Sequence, residues 1–326
     1  MKEANRQNMV NHRAIPVVDL HQYDSTGADG NSPFVKALGN AFREVGFVGI
    51  VNHGVDTSLI DAFYEASNRF FGLPEAIKWN YEIPGLAGQR GYTSFGKEHA
   101  RQSDVADLKE FFQIGQDSPP PGGDPSEYPS NVLVTEVPEL SELGARLYQS
   151  FEQVGRKLLS AIALYLNLPV NFFEEKVDRG NSILRAIHYP PITREPASAI
   201  RAEQHEDINL ITLLVGASAG GLQILGKDGM WLPVIPEENE IVVNVGDMLQ
   251  RLTNNYLCST THRVANPPRD EWHKPRLSIP FFMHPRSNMD LTCLPGCVDE
   301  NHPPAWAPIT AGEYLNERLR EIGLKK

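Results

Sequence analysis

The residues with the clearest capacity for chemistry are a histidine and a carboxylate two positions apart. Of the ten histidines, only His205 begins a His-x-Asp or His-x-Glu triplet, which reads His205-Glu206-Asp207. Side chains two apart on a β-strand point to the same face, so we predict that His205 and Asp207 project together as two metal ligands. A surface histidine beside a turn aspartate is the alternative interpretation.

A third ligand is available downstream at His262. Two imidazoles and one carboxylate on one face of an octahedron leave three coordination positions open, which is the ligand set of non-haem ferrous oxygenases. The open positions allow O2 and a second reactant to reach the metal. A structural zinc site is disfavoured, because such sites close all four positions and often use cysteine.

A pair of residues suited to binding a carboxylate follows at Arg276-Leu277-Ser278. Arg276 and Ser278 are also two apart and therefore share one face of a predicted strand. A guanidinium beside a hydroxyl binds a carboxylate through charge-assisted, often bidentate, hydrogen bonds. A rim arginine paired with an acidic residue is the alternative. Together with the metal site, the pair predicts a pocket for a small dicarboxylate.

The elements that must position these residues are predicted to be short strands. Between residues 182 and 283, β-branched and apolar runs alternate with Gly, Pro and Asn-Asn turns, a spacing typical of a sandwich or barrel of the jelly-roll kind. The clearest runs are 209–215, 221–225, 240–245 and Arg276–Met283.

Helical patterns precede and follow this β region. One predicted helix ends at Gly46, a second begins after the N-cap Asp56, and a long one covers 140–166. A capping box of Thr310 and Glu313 predicts a helical tail. The predicted fold class is therefore α+β, with a double-stranded β-helix (jelly roll) core flanked by helices.

Composition and charge exclude several classes of partner. Thirty Lys and Arg against 41 Asp and Glu give a net charge of −11, which repels phosphate backbones and argues against nucleic acid. No apolar run reaches the ~18–20 residues of a membrane helix, and the polar segment 1–13 lacks a signal-peptide core. Three cysteines favour a reducing, cytoplasmic location over a disulfide framework.

Taken together, the motifs resemble one family along nearly the whole chain. The chain is similar to the Fe(II)- and 2-oxoglutarate-dependent dioxygenases of the isopenicillin-N-synthase-like family, and especially to bacterial-type members. The resemblance is carried by Ile15-Pro16-Val17-Val18-Asp19-Leu20, Gly46-Phe47, Asn52-His53-Gly54-Val55, Phe70-Phe71-Gly72-Leu73-Pro74, Ile187-His188-Tyr189-Pro190-Pro191, His205-Glu206-Asp207, Gly221-Leu222-Gln223, Asn244-Val245-Gly246-Asp247, His262-Arg263-Val264 and Arg276-Leu277-Ser278.

The resemblance implies roles for particular residues. It implies that His205, Asp207 and His262 bind Fe(II). It implies further that Arg276, Ser278 and Tyr189 hold the far carboxylate of 2-oxoglutarate, the co-substrate. Plant relatives often carry Asn where this chain has Ile187, so that additional contact is not expected here. The implied substrate side is formed by Arg90, Tyr92, Leu222 and Phe282, with a solvated loop arginine as the alternative for Arg90. The stretch 109–112 is interpreted as strand packing.

The resemblance also implies the activity and the organisation of the chain. The expected reaction uses O2 and 2-oxoglutarate, with ascorbate as a reductant, to oxidise and most simply hydroxylate a C–H bond of a small molecule, releasing succinate and CO2. A monomer is expected. The predicted division is an N-terminal region of helices and strands (14–120), a Pro-rich loop and long helix (121–180), a double-stranded β-helix domain binding Fe(II) and 2-oxoglutarate (181–285), and a C-terminal helical tail (286–326).

Two other functions remain open from sequence alone. One is an isopenicillin-N-synthase-like oxidase that uses Fe(II) and O2 without 2-oxoglutarate, in which the Arg-x-Ser pair binds the substrate carboxylate. The other is a non-catalytic barrel that serves as a ligand-binding module. Tyr189 beside the carboxylate-binding pair favours 2-oxoglutarate.

Overall fold

Short strands and helices follow one another along most of the chain. The computed structural model describes residues 14–25, 29–86, 88–98, 105–116 and 118–321, so the polar segment 1–13 lies outside the described residues. The strands are β1 (Val17–Asp19), β2 (Phe47–Val51), β3 (Gly91–Thr93), β4 (Glu110–Gly115), β5 (Ile183–Tyr189), β6 (Ala202–His205), β7 (Ile211–Val215), β8 (Leu222–Leu225), β9 (Trp231–Pro233), β10 (Ile241–Val245), β11 (His262–Val264) and β12 (Arg276–Met283). The helices are α1 (Pro33–Glu44), α2 (Thr57–Phe71), α3 (Glu75–Lys78), α4 (Glu139–Tyr165), α5 (Glu174–Val177), α6 (Asp247–Leu252) and α7 (Ala311–Glu321).

The strands form two sheets that face each other. The larger sheet has the strand order β1-β2-β10-β7-β12-β5-β4-β3, and the smaller has the order β6-β11-β8-β9. Only the β1–β2 pairing is parallel among the described strands. Side chains from both sheets line one cavity, as in a jelly-roll core. The predicted double-stranded β-helix flanked by helices is therefore confirmed.

The long helix α4 lies against the larger sheet and supports it. Most of its apolar stripe is buried, and Phe151 stacks on Phe281 of β12 with ring centroids 5.8 Å apart. Each large apolar side chain buried in this way contributes about 1.5–3 kcal/mol. Helices α1 and α2 pack on α4 in turn. Within the described ranges, no helix is both long and apolar enough to span a bilayer.

The predicted helix ends are confirmed where a specific residue sets them. Asp56 Oδ1 accepts a hydrogen bond from the backbone N–H of Ser58 at 2.9 Å, which caps α2. Thr310 and Glu313 form the predicted reciprocal capping box of α7. Gly46 follows α1 with φ +76°, a left-handed conformation that favours glycine.

The prediction that His205 and Asp207 share a strand is wrong in its local geometry. β6 ends at His205, and Asp207 lies in the connection to β7, which begins at Ile211 rather than at residue 209. The reason is that the Asp207 carbonyl does not join a ladder, because it accepts the backbone N–H of Asp247 at 2.7 Å. The turn therefore directs the carboxylate towards the histidines by a route that strand alternation did not predict.

Candidate active site

A cavity of about 810 Å³ lies between the two sheets. This volume is within the usual range of small-molecule sites, about 300–1,000 Å³. Eight of the ten predicted site residues line it, namely Tyr189, His205, Asp207, Leu222, His262, Arg276, Ser278 and Phe282. The exceptions among the predicted residues are Arg90 and Tyr92.

Three ligand-type side chains converge at one place in this cavity. His205 ends β6, His262 begins β11, and the two histidines are register partners in the smaller sheet. Asp207 Oδ1 lies 3.8 Å from His205 Nε2 and 3.7 Å from His262 Nε2. Two ligands bonded to one ion at about 2.0–2.2 Å lie at most about 4.0–4.4 Å apart, so these separations allow one ion to bridge Asp207 and each histidine. The three residues also form a group whose ligand atoms all lie within 4.8 Å of one another.

Backbone carbonyls fix the orientation of both imidazole rings. His205 Nδ1 lies 2.7 Å from the Glu203 carbonyl oxygen, and His262 Nδ1 lies 3.1 Å from that of Thr260. Because a carbonyl oxygen only accepts, each Nδ1 must carry the proton and donate it. The Nε2 atoms are then left unprotonated and face Asp207, as metal-binding histidines require.

The Asp207 carboxylate is held in a matching way. Its Oδ2 accepts hydrogen bonds from Thr212 Oγ1 at 2.6 Å and from Asn244 Nδ2 at 2.8 Å. Its Oδ1 is the atom that points towards the two imidazoles. The donor set of two nitrogens and one oxygen therefore fits a ferrous ion, with sites left open for other ligands.

The protonation states also suit metal binding. Burial, followed by the proximity of His262, lowers the pKa of His205 to about 4. Burial alone would raise the pKa of Asp207, but the two histidines and the hydrogen bonds from Asn244 and Thr212 outweigh it and hold that pKa below its ordinary value. A neutral His205 and an ionised Asp207 are the forms that coordinate metals.

The carboxylate-binding pair lies in the same cavity on β12. Arg276 is 2% exposed and Ser278 is 3% exposed, and Arg276 Nη1 donates to Ser278 Oγ at 3.1 Å. Arg276 Nε donates to the Ala219 carbonyl at 3.1 Å. The guanidinium carbon lies 5.0 Å from the ring centroid of Tyr189, its register partner on β5. Arg276 forms no ion pair with any described acidic residue, so its charge is available to an anionic ligand.

The two predicted site residues outside the cavity have structural partners. Arg90 is 1% exposed, and its guanidinium donates to the carbonyls of Pro129 at 3.1 Å and Gln116 at 2.6 Å, as well as to its neighbour Gln89. Tyr92 is buried in the main hydrophobic core, which is the largest cluster of buried apolar residues. Its hydroxyl donates a hydrogen bond to a carboxylate oxygen of Glu110. The prediction that Arg90 and Tyr92 line the substrate side does not agree with this placement, because both side chains are occupied within the protein.

A charged network in the cavity was not predicted from the sequence. Nη1 of Arg185 on β5 lies 3.3 Å from both carboxylate oxygens of Glu98, and Lys109 Nζ lies 2.7 Å from Glu98 Oε1. Burial opposes ionisation of Glu98, but Arg185 and Lys109 outweigh it and lower its pKa to about 2. The guanidinium carbon of Arg185 lies 4.1 Å from the ring centroid of Phe111 and 5.2 Å from that of Phe282.

One sequence signal could have found part of this network. Arg185, Ile187 and Tyr189 alternate along β5 and all line the cavity, so Arg185 shares the face of Tyr189. Glu98 is distant in sequence and follows no such pattern. The interpretation of 109–112 as strand packing holds for Phe112, which lies in the main core, but Lys109 and Phe111 line the cavity.

Comparisons with known families agree with this geometry. Residues 15–136 match the family described as non-haem dioxygenase in morphine synthesis N-terminal, and residues 180–285 match the 2OG-Fe(II) oxygenase superfamily. The two matches cover the region that contributes β1 to β4 and the region that contributes β5 to β12.

Individual relatives extend over nearly the whole chain. The 2-oxoglutarate-dependent dioxygenase htyE of Aspergillus rugulosus is 32% identical, with 88% of this chain and 92% of the relative covered. A 2OG-Fe(II) oxygenase family protein from Caulobacter crescentus superimposes with a TM-score of 0.84 and 42% identity, over 95% and 99% of the two chains. A full-length Neurospora crassa protein, solved in complex with alpha-ketoglutarate (2-oxoglutarate), gives a TM-score of 0.83 at 30% identity, over 95% and 98%.

These relatives decide between the functions left open by the sequence. They support Fe(II) and 2-oxoglutarate as cofactor and co-substrate, and oxidation of a C–H bond as the reaction. The alternatives that dispense with 2-oxoglutarate or with catalysis are thereby disfavoured. The chain belongs to the Fe(II)- and 2-oxoglutarate-dependent dioxygenases of the isopenicillin-N-synthase-like family.

Proposed function

We propose that His205, Asp207 and His262 bind Fe(II) and that Arg276, Ser278 and Tyr189 bind the far carboxylate of 2-oxoglutarate. The observation that carries this assignment is the convergence of two Nε2 atoms and one carboxylate oxygen in the cavity that also contains Arg276. A buried guanidinium without an acidic partner is stabilised by an anion. The proposed reaction is hydroxylation of a small-molecule substrate.

The protein residues contribute orientation, charge and exclusion of water. The Glu203 and Thr260 carbonyls hold the two imidazoles with Nε2 towards the metal, and Thr212 holds the carboxylate. Bound Fe(II) supplies the redox chemistry that couples decarboxylation of 2-oxoglutarate by O2 to oxidation of a C–H bond. The described side chains need not supply a general base, because C–H oxidation of this kind does not require one.

Two of the predicted contacts with the substrate fit the cavity. Leu222 of β8 and Phe282 of β12 line its walls from opposite sheets. Phe282 is the only residue of β12 that is not fully buried, so part of its ring is open to the cavity. These two residues are proposed to form apolar walls of the substrate site.

The test is formation of succinate that depends on both Fe(II) and 2-oxoglutarate. Purified protein is supplied with Fe(II), ascorbate, 2-oxoglutarate and O2, and succinate is measured with each component omitted in turn. We expect slow succinate formation even without a prime substrate, and acceleration when one is present. Absence of succinate in metal-loaded protein that retains its fold would contradict the proposal.

The proposed setting is the cytoplasm, and the proposed form is a monomer. All three cysteines, Cys258, Cys293 and Cys297, are free thiols, which fits a reducing compartment. Size-exclusion chromatography with light scattering tests the monomer, for which a mass near 36.3 kDa is expected.

A further inference from the structure

Two buried polar side chains line the cavity with part of their hydrogen-bonding capacity unused. Asn181 and His284 are each 9% exposed. Among the described residues, Asn181 Oδ1 and His284 Nδ1 have no hydrogen-bond partner, although both atoms are buried. Neither side chain belongs to the iron or 2-oxoglutarate sites described above.

The fold fixes these two residues at the opposite end of the cavity from Arg276. Strands β5 and β12 pair from Tyr189 with Arg276 at one end to Ile183 with Phe282 at the other. Continuing the same register by two residues on each strand places Asn181 opposite His284. Side chains of alternate residues share a face, and Ile183 and Phe282 line the cavity together with Asn181 and His284.

The backbone N–H groups of both residues are hydrogen-bonded even though the side-chain atoms Asn181 Oδ1 and His284 Nδ1 are not. The Asn181 N–H donates to the Pro285 carbonyl at 3.4 Å, and the His284 N–H donates to Ser182 Oγ at 3.1 Å. The positions of the two side chains are therefore set by the protein. Because a buried polar atom without a partner is destabilising, a ligand that enters the cavity and pairs with these two atoms is stabilised by them.

The charge at this end of the cavity indicates that this molecule is uncharged. Both cations near β4 and β5 are neutralised within the protein, since Arg185 pairs with Glu98 and Lys109 pairs with Glu98 and Asp107. An anionic substrate would find no surplus positive charge here. The one cavity guanidinium without a described acidic partner, Arg276, is taken by 2-oxoglutarate in the proposed function.

The hydrogen-bonding groups of Asn181 and His284, and the aromatic ring of Phe282 beside them, indicate what kind of ligand this part of the cavity can bind. Burial lowers the pKa of His284 to about 4, so its imidazole is neutral near pH 7 and has one donor and one acceptor nitrogen. Asn181 likewise offers a carbonyl acceptor and an amide donor. Phe282, half-buried between this pair and Arg185, offers an aromatic surface for a flat ring.

We propose that Asn181 and His284 form a hydrogen-bonding subsite for the prime substrate, and that this substrate is an uncharged planar ring with an amide-type N–H/C=O edge. The inference rests on the proposed function, because it assigns the neighbouring metal and carboxylate sites to Fe(II) and 2-oxoglutarate. Asp207 borders the same region, because Thr212 donates a hydrogen bond to Asp207 and is also the register partner of Phe282. A ring held here therefore lies beside the metal site.

The ligand class is tested with three matched probes by calorimetry under nitrogen, on protein loaded with Fe(II) and 2-oxoglutarate. 2-Pyridone has the planar amide edge, N-methyl-2-pyridone has the same ring with its N–H blocked, and 2-pyridone-6-carboxylate adds a negative charge. We expect 2-pyridone to bind at least about tenfold more tightly than either analogue, because each analogue leaves a subsite group unpaired or brings an uncompensated charge. Equal binding of the three probes, or no binding of 2-pyridone, would overturn the substrate class.

The residues are tested with variants that remove their polar atoms. Asn181→Ala and His284→Leu should each weaken 2-pyridone by about tenfold, whereas His284→Gln, which retains a donor and an acceptor, should restore most of the affinity. Asn31→Ala, at an exposed asparagine outside the cavity, is the matched control and should bind as the wild type does. Unchanged affinity in both Asn181→Ala and His284→Leu would overturn the subsite.

Failure of this inference can be told apart from failure of the proposed function. The affinity for 2-oxoglutarate is measured in the same variants before the probe is added. Normal 2-oxoglutarate binding with no selectivity among the probes removes only the subsite. Loss of metal-dependent 2-oxoglutarate binding in the wild type removes the proposed function, and with it the assignment that depends on it.

Discussion

Two arginines line the same cavity on neighbouring strands, yet their charges are compensated in opposite ways. Arg276 on β12 donates to a carbonyl and a hydroxyl and has no acidic partner among the described residues. Arg185 on β5 faces both oxygens of Glu98 at 3.3 Å. The first arginine is therefore prepared for an anion, whereas the second presents a flat, neutralised surface over Phe111.

The difference teaches that residue type alone does not define a ligand. A guanidinium binds a carboxylate strongly when no protein carboxylate already occupies it. When it is already paired, the same group contributes mainly shape, stacking and orientation. Under the proposed function, the end of the cavity with Arg276 binds the dicarboxylate co-substrate, and the end with Arg185 is proposed to bind an uncharged substrate.

Loss of one metal ligand should have the largest effect. Without the metal, neither the end of the cavity with Arg276 nor the end with Arg185 can contribute to turnover. Asp207→Ala removes the carboxylate that lies between the two histidines, so we expect iron binding and 2-oxoglutarate-dependent succinate formation to fall below detection. His205→Ala should do the same. The measurements are iron content by mass spectrometry and succinate by chromatography.

The control for these variants is His302→Ala, at an exposed histidine paired only with Asp299 among the described residues. It should retain wild-type iron content and turnover. Wild-type turnover with bound iron in Asp207→Ala would remove that residue from the metal site.

Arg276→Ala should weaken 2-oxoglutarate by about ten- to a hundredfold, because hydrogen bonds to a charged group contribute about 1.5–3 kcal/mol. The apparent Michaelis constant for 2-oxoglutarate and its affinity measured by calorimetry should both change. Arg185→Gln, on the neighbouring strand, is the matched comparison and should leave the 2-oxoglutarate affinity within about twofold of the wild type. Equal losses in the two variants would break the distinction between the two ends of the cavity.

The metal and carboxylate sites could be predicted from sequence because each contains a pair of functional residues that are close together in the chain. His205 with Asp207, and Arg276 with Ser278, are separated by one residue, and in the structure the two side chains of each pair lie close together. Even so, Asp207 lies beyond the end of β6, because its carbonyl accepts the N–H of Asp247, the first residue of α6, rather than joining a ladder. The pairing was predictable although the backbone path was not.

The substrate end could not be predicted in the same way, because its partners come from distant segments. Glu98, Arg185 and His284 line one cavity only because β5 pairs with β12 and Glu98 forms an ion pair with Arg185 of β5. Arg90 shows the converse error, since a lone arginine in a loop carries no pattern that separates a buried structural role from a binding role. Tertiary contacts, and not sequence spacing, decide both cases.

Removing Glu98, the acid that compensates the charge of Arg185, should allow the end of the cavity with Arg185 to bind an anion. Glu98→Gln leaves Arg185 without its carboxylate partner, and we expect affinity for a flat carboxylate such as benzoate to rise by about fivefold, which corresponds to about 1 kcal/mol of partly screened Coulomb energy. The measurement is displacement or direct binding of benzoate on protein loaded with metal and 2-oxoglutarate. Glu300→Gln, at an exposed acid with the same change in charge, should not alter benzoate binding. A Glu98→Gln protein that still rejects benzoate would show that charge compensation does not set the selectivity of this end.

Glu98 should also make a small contribution to the pH dependence of the free energy of unfolding. The pKa of Glu98 is lowered to about 2 in the folded protein from an ordinary value of 4.5, so its ionised form stabilises the fold above pH 4.5, and this contribution is lost as the pH falls from 4.5 towards 2. In that window the free energy of unfolding of the wild type should fall more steeply than that of Glu98→Gln, by about 1 kcal/mol per pH unit for one proton. Urea unfolding at a series of pH values measures the two slopes. Parallel slopes would mean that Glu98 is not held ionised by Arg185 and Lys109, and the contrast between the two arginines would lose its electrostatic basis.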